Sequence, residues 1–193
     1  MHSGPATRAF GSRRHALRAV VILVVIAVAI GGLTSPAQQF LPDALRSLAN
    51  AAGSWFVVIM VAVRLGRSPL VLSVILGIVG FLLLTISYGV VSELRGYPWS
   101  FVNIWTSVSV PAGIVVGVAV TWLDSQRKLL VGLGAAAPAV VLIAEGSYGL
   151  TVVIATTGPV VWILELVGAA VWITWVALHE SGVVHLPGRP EGA

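Results

Sequence analysis

The chain has 193 residues, 58% apolar and only 9% charged, with a net charge of +4 and no cysteine. Soluble domains average about 25% charged residues, so a water-facing globular surface is excluded and an all-α integral membrane protein is predicted. The missing cysteines exclude disulfides, thiolate metal ligation and a cysteine nucleophile. The basic balance does not point to nucleic acid, because the positive residues flank apolar stretches, where anionic headgroups attract them, and none is interleaved with base-stacking aromatics.

Taken in chain order, residues 1–16 are rich in Gly, Ser and Arg and predict a disordered cytoplasmic tail. A first span follows over 17–33, ended by Thr34-Ser35-Pro36. Pro42 suits a helix first turn, so a second helix is expected over 42–64. Its first half carries Arg46, Asn50, Gly53 and Ser54, and its second half is wholly apolar. A tight turn at 66–69 leads to a third span over 70–92. A loop at 93–100 precedes a fourth span over 101–123, with Pro111 inside it. The turn at 124–128 leads to a fifth span over 129–150, kinked at Pro138. An uncharged turn at 155–159 precedes a sixth span over 160–178, and a polar tail covers 179–193. The domain reading is therefore a six-helix transmembrane bundle over 17–178 between two cytoplasmic tails.

Charge sets the orientation. Nine of the eleven Lys and Arg residues fall on one side of this threading, with only Arg46 and Arg95 on the other. Positive loops stay cytoplasmic, so both termini are expected inside the cell membrane. Trp and Tyr collect at bilayer interfaces. Trp55, Tyr97, Trp99, Trp105, Tyr148 and Trp162 are expected toward the outer face; Trp122, Trp172 and Trp175 toward the inner. Ser12-Arg13-Arg14-His15-Ala16-Leu17-Arg18 resembles a twin-arginine export signal, with small residues at Ser35-Pro36-Ala37 for cleavage. Export of that kind carries soluble cargo, whereas five more apolar spans follow, which favours a retained first helix. Ile86-Ser87-Tyr88-Gly89 and Gly146-Ser147-Tyr148-Gly149 form a faint internal echo in which three residues match.

Two acidic residues lie inside spans, Glu145 in the fifth and Glu165 in the sixth. An ionised carboxylate in hydrocarbon is costly, so such residues pair, protonate or line water. At about 1.5 Å per residue both sit roughly 8 Å below the outer boundary, on antiparallel neighbouring helices. Arg46, Asn50 and Ser54, at i, i+4 and i+8, share one face of the second helix. Tyr88 and Tyr148 end the third and fifth spans. Together Glu145, Glu165, Asn50, Arg46, Ser54, Tyr88 and Tyr148 predict a polar pocket in the outer half. The same groups also fit purely structural hydrogen bonding between helices, at about 0.6–2 kcal/mol each. Gly113 and Gly117 form a GxxxG unit, and Ser73 with Gly77 a small-xxx-small pair; both let helix backbones approach closely. There is no zinc-protease helix, nucleophile elbow or phosphate-binding glycine loop. The histidines fall in the tails. No catalytic residue, metal site or cofactor is expected.

Several segments resemble a family of small multi-pass membrane proteins of unknown function from high-GC bacteria. These are Leu33-Thr34-Ser35-Pro36-Ala37-Gln38, Leu48-Ala49-Asn50-Ala51-Ala52-Gly53-Ser54-Trp55, Leu94-Arg95-Gly96-Tyr97-Pro98 and Glu145-Gly146-Ser147-Tyr148-Gly149-Leu150-Thr151. The resemblance implies a shared fold and a retained first helix, and gives no activity. Two function classes stay open: a protein that binds or transports a small solute or ion through the outer pocket, and a structural or accessory protein that partners another membrane complex. The lipid bilayer is a partner under either.

Overall fold

A computed structural model describes residues 5–180 except Val102, with side chains described over 16–178. The elements are α1 (Pro5–Phe40), α2 (Asp43–Arg46), a 3-10 turn (Ser47–Asn50), α3 (Ala52–Gly66), α4 (Leu70–Leu94), α5 (Ile104–Leu123), α6 (Lys128–Tyr148), a π turn (Gly149–Val153), α7 (Ile154–Thr157) and α8 (Val160–Glu180). Among the described residues all regular structure is helical. Five stretches are long and apolar enough to cross a membrane: Ala16–Phe40, Leu70–Leu94, Ile104–Leu123, Lys128–Thr157 and Val160–Leu178.

The second expected helix is not continuous. It breaks between Asn50 and Ala52, and its two parts meet at 56°. Ala51 is extended at φ −81°, ψ 126°. Side-chain bonding to backbone carbonyls accompanies the break. The Ser54 hydroxyl lies 2.9 Å from Leu48 O and 2.8 Å from Ala51 O, and the Leu48 oxygen is one that a continuous helix would pair with the Ala52 amide.

The first helix, by contrast, outlasts Pro36 and ends at Phe40. Proline removes one amide and is tolerated in apolar helices where neighbours replace the lost bond. Here Arg95, from the α4–α5 loop, donates to Ser35 Oγ at 2.8 Å and also to Gln39 Oε1, holding the extension in place. At the other end α1 already begins at Pro5, inside the segment expected as a tail. Ala and Arg, frequent there, are good helix formers. Residues 1–4 and 181–193 lie outside the described residues. The expected turn at 155–159 is also mostly helical. The chain runs through the π turn and α7 to Thr157, then reverses at Gly158, whose φ of 71° suits glycine.

α3 lies at the centre, packed against α1, α4, α5 and α6, and α8 packs on α6. Trp55, Phe56, Ile59, Met60, Ala62 and Val63 of α3 are buried, against Leu23 and Ala27 of α1, Leu76, Phe81 and Leu84 of α4, and Val116 and Val120 of α5. The two small-residue motifs find each other. A Cβ on Gly77 would overlap the Gly113 backbone, one on Gly113 would overlap Ile78, and one on Gly117 would overlap Val74. The α4 and α5 backbones therefore touch, and no side chain fits between them.

A stability series checks this contact. Gly113→Ala is expected to lower the melting temperature in detergent, by roughly the 1–3 kcal/mol of an overpacked site. Gly132→Ala in α6 meets nothing within 4 Å and is expected to be neutral or slightly stabilising. Equal responses at the two positions would contradict the backbone contact.

Candidate functional site

The site grows from the break in the second apolar segment. A helix that starts inside the bundle leaves its first amides without intrahelical partners. Ala51, at the N-cap of α3, has no side-chain acceptor to offer. The acceptor arrives from α6. Glu145 Oε1 takes the Ala52 amide at 2.8 Å, and Glu145 Oε2 takes the Gly53 amide. A carboxylate is well matched to the partial positive charge of a helix N-terminus.

Glu165 of α8 is 6% exposed, and neither of its oxygens has a hydrogen-bond partner among the described residues. It converges with Glu145 on Gly53. A Cβ placed there would lie 2.7 Å from Glu165 Oε1 and 3.0 Å from Glu145 Oε2. Two ionised carboxylates are both acceptors only, so they can bond to each other only when one carries a proton. Among the described residues no cation pairs with them. Arg46 pairs with Asp43 at 2.5 Å, with both side chains largely exposed.

Two cavities meet this centre. The first, about 930 Å³, opens at the α2 end and is lined by Gln38, Arg46, Asn50, Glu145, Tyr148 and Trp162 among others. The second, about 530 Å³, is an apolar groove between α1, α3 and α8, with Leu33, Val58 and Leu164 on its walls and Ser54 and Glu165 among its few polar residues. The seven residues expected in one pocket are thus divided. Arg46, Asn50, Glu145 and Tyr148 share the polar cavity, while Ser54 and Glu165 line the groove. Tyr88 lines neither: it packs edge-on against Trp55 at 5.9 Å and its hydroxyl donates to Gln38 Oε1 at 3.5 Å. The break ends the helical register that would have kept Ser54 on the face of Arg46 and Asn50.

Several contributors were not legible as site residues. Gln38 lies on the α1 extension beyond Pro36 and donates to Asn50 Oδ1 at 3.3 Å. Ser47 Oγ reaches Thr157 O at 3.4 Å, and Trp162 Nε1 donates to Thr157 Oγ1 at 2.9 Å. Gly53 has no side chain, and that is its role, because the space its Cβ would fill is held by the two carboxylates. A proline-interrupted helix gave no signal for Gln38. A glycine three residues after Asn50 was the one available hint of a crowded helix start. Among the described residues no three His, Cys, Asp or Glu side chains cluster as a metal site.

A family model matches residues 11–186, nearly the whole chain. The chain belongs to DUF6518, a family of unknown function. No curated protein and no solved structure matches it significantly. The matched stretch of this DUF6518 chain contains the broken second segment, both glutamates and both cavities.

The two glutamates differ in what substitution should do. Glu145 uses both oxygens as acceptors, so Glu145→Gln turns an NH₂ group toward an amide donor. It is expected to cost about 1–3 kcal/mol, the range for a buried donor left unsatisfied. Glu165 has no donor to lose, so Glu165→Gln is expected to leave stability unchanged or raise it. Thermal unfolding of both variants in detergent checks this, and the opposite ranking would refute the capping role of Glu145.

Proposed function

We propose that this DUF6518 chain crosses the cell membrane six times with both termini in the cytoplasm, and binds a small polar solute in the cavity at the α2 end, on the outer side. The bent segment of α2, the 3-10 turn and α3 counts as the sixth crossing, and the arginine distribution supplies the orientation. The observation that carries the binding reading is the floor of the cavity: a helix start within the bundle, capped by Glu145, with Glu165 unpartnered behind it. Broken helices whose N-termini face a cavity recur at solute sites within membranes. The lining supplies donors and acceptors of both kinds, from Arg46, Asn50, Gln38 and Tyr148, beside the indole of Trp162. That mixture suits a neutral or zwitterionic solute better than a strongly charged one. Glu145 and Glu165 converge on Gly53, which makes the pair the acidic centre of the site in this reading.

Two measurements bear on it. Reporter domains active only in the cytoplasm should give signal when fused after Arg67, Lys128 or the C-terminus, and none when fused after Arg46 or Gly96. Signal from the last two would reverse the orientation. Native mass spectrometry of purified protein should show a co-purifying small molecule that is lost in Arg46→Gln with Asn50→Ala. Its retention should depend on pH in the wild type and not in Glu165→Gln. Wild-type protein that carries no small molecule under gentle extraction would count against solute binding.

The apolar groove supports a second reading. Its walls would accept an apolar helix of another membrane protein, in keeping with an accessory role. A partner subunit co-purifying with the wild type, in place of a small molecule, would favour it.

A further inference from the structure

The opposite end of the bundle carries a third cavity, of different chemistry. Gly66, the last residue of α3, packs against Ala19 of α1, where a Cβ on the glycine would lie 2.7 Å from the alanine methyl. This close approach brings the neighbours of both residues together. Arg18 from α1, Arg64 from α3 and Arg67 from the α3–α4 turn line one cleft of about 750 Å³, with Ser68 and with Asp124 from the end of α5. Three arginines against one aspartate leave a formal charge of +2. Arg64 is paired with Asp124 at 3.0 Å. Arg18 and Arg67 have no partner among the described residues.

Arg67 occupies an unusual position. It follows the last helical residue of α3 in the left-handed conformation, at φ 47° and ψ 49°, with its amide bonded to Arg64 O at 3.1 Å. Glycine or asparagine normally fills such a position, and a longer side chain there is disfavoured. Arg67 in this conformation lines the same cleft as Arg18. The remaining wall is apolar. Val61 and Leu65 line the cleft with outward-facing, half-exposed side chains. The cleft lies where the apolar stretches begin and end, since α3 stops at Gly66, α4 starts at Leu70 and α5 stops at Leu123.

We propose that this cleft binds the phosphate headgroup of an anionic phospholipid, with Arg18 and Arg67 holding the phosphate and the first acyl carbons running along Leu65 and Val61. The inference rests on the chain spanning a bilayer, and not on solute binding at the other end. Guanidinium groups recognise phosphate oxygens through paired donors, and basic pockets at membrane edges select anionic headgroups. A free phosphate would leave the apolar wall unused. A nucleotide would find no aromatic side chain to stack on, since none lines the cleft.

The test is native mass spectrometry of the full chain in detergent, titrated with phosphatidylglycerol or with phosphatidylcholine. Arg18→Gln with Arg67→Asn removes both free cations, and asparagine suits the left-handed backbone at 67. Arg127→Gln with Lys128→Gln removes the same charge from the neighbouring α5–α6 turn, outside the cleft. The first double variant should weaken phosphatidylglycerol binding about tenfold or more, and the second by no more than about twofold. Phosphatidylcholine binding should be the same in all three proteins. Millimolar inorganic phosphate should not displace the bound phosphatidylglycerol. Melting temperatures of the same samples without added lipid should match the wild type. Equal losses in both double variants would reduce the effect to general edge charge and overturn the site, as would no loss in the first. Displacement by inorganic phosphate would overturn the lipid assignment in favour of a free-anion site. A first variant with a lowered melting temperature would be replaced by Arg18→Gln alone, which leaves the turn intact and should still lose binding several-fold; unchanged binding there would overturn the proposal.

Discussion

Peptide groups within a bilayer must find their hydrogen bonds inside the protein, because no water is present to supply them. That constraint bears hardest on α3, the helix against which α1, α4, α5 and α6 pack. Its first amides are exposed by the break at Ala51 and have no cap from their own segment. They are satisfied by Glu145, 93 residues further along the chain. The position of Glu145 follows from this need, and so does that of Glu165, which packs against the same glycine. A helix break that would be unstable alone becomes a fixed point around which a polar cavity and an apolar groove are arranged.

The helical architecture was legible because composition and long apolar runs leave few alternatives. The third, fourth and sixth spans were read with bounds within a few residues of α4, α5 and α8. What escaped were the helix ends and breaks set by particular side-chain contacts. The end of α1 moved past Pro36 because Arg95 reaches back to Ser35 and Gln39. The second helix breaks where Ser54 bonds to carbonyls on its own chain, and i, i+4 spacing says nothing of that contact. Glu145 and Glu165 lie on consecutive apolar stretches, and both reach Gly53. Their unequal roles were not readable, because one depends on two backbone amides and the other on the lack of any donor.

The short echo between the third and fifth spans has a physical counterpart. Gly89 and Gly149, which close the two Ser-Tyr-Gly triplets, each lie beneath an indole, Trp99 over one and Trp162 over the other. In both places the ring occupies the space a Cβ would need, so glycine is required for the tryptophan to dock. The tyrosines preceding them diverge in use. Tyr88 joins the core beside Trp55, while Tyr148 lines the polar cavity. Similar packing at two helix ends thus serves one structural and one cavity-forming purpose.

The long-range cap on α3 has a consequence for biogenesis. Ribosomes add about 5–20 residues per second, so α3 leaves the ribosome roughly 5–20 s before the carboxylate that completes its first turn. The Thr157 carbonyl that receives Ser47 follows later still, 110 residues on. During that interval the Ala52 and Gly53 amides lack the acceptor that caps them in the folded chain. The bent second segment is therefore not completed as a hairpin with its sequence neighbours: its central helix gains its cap only once α6 has been made.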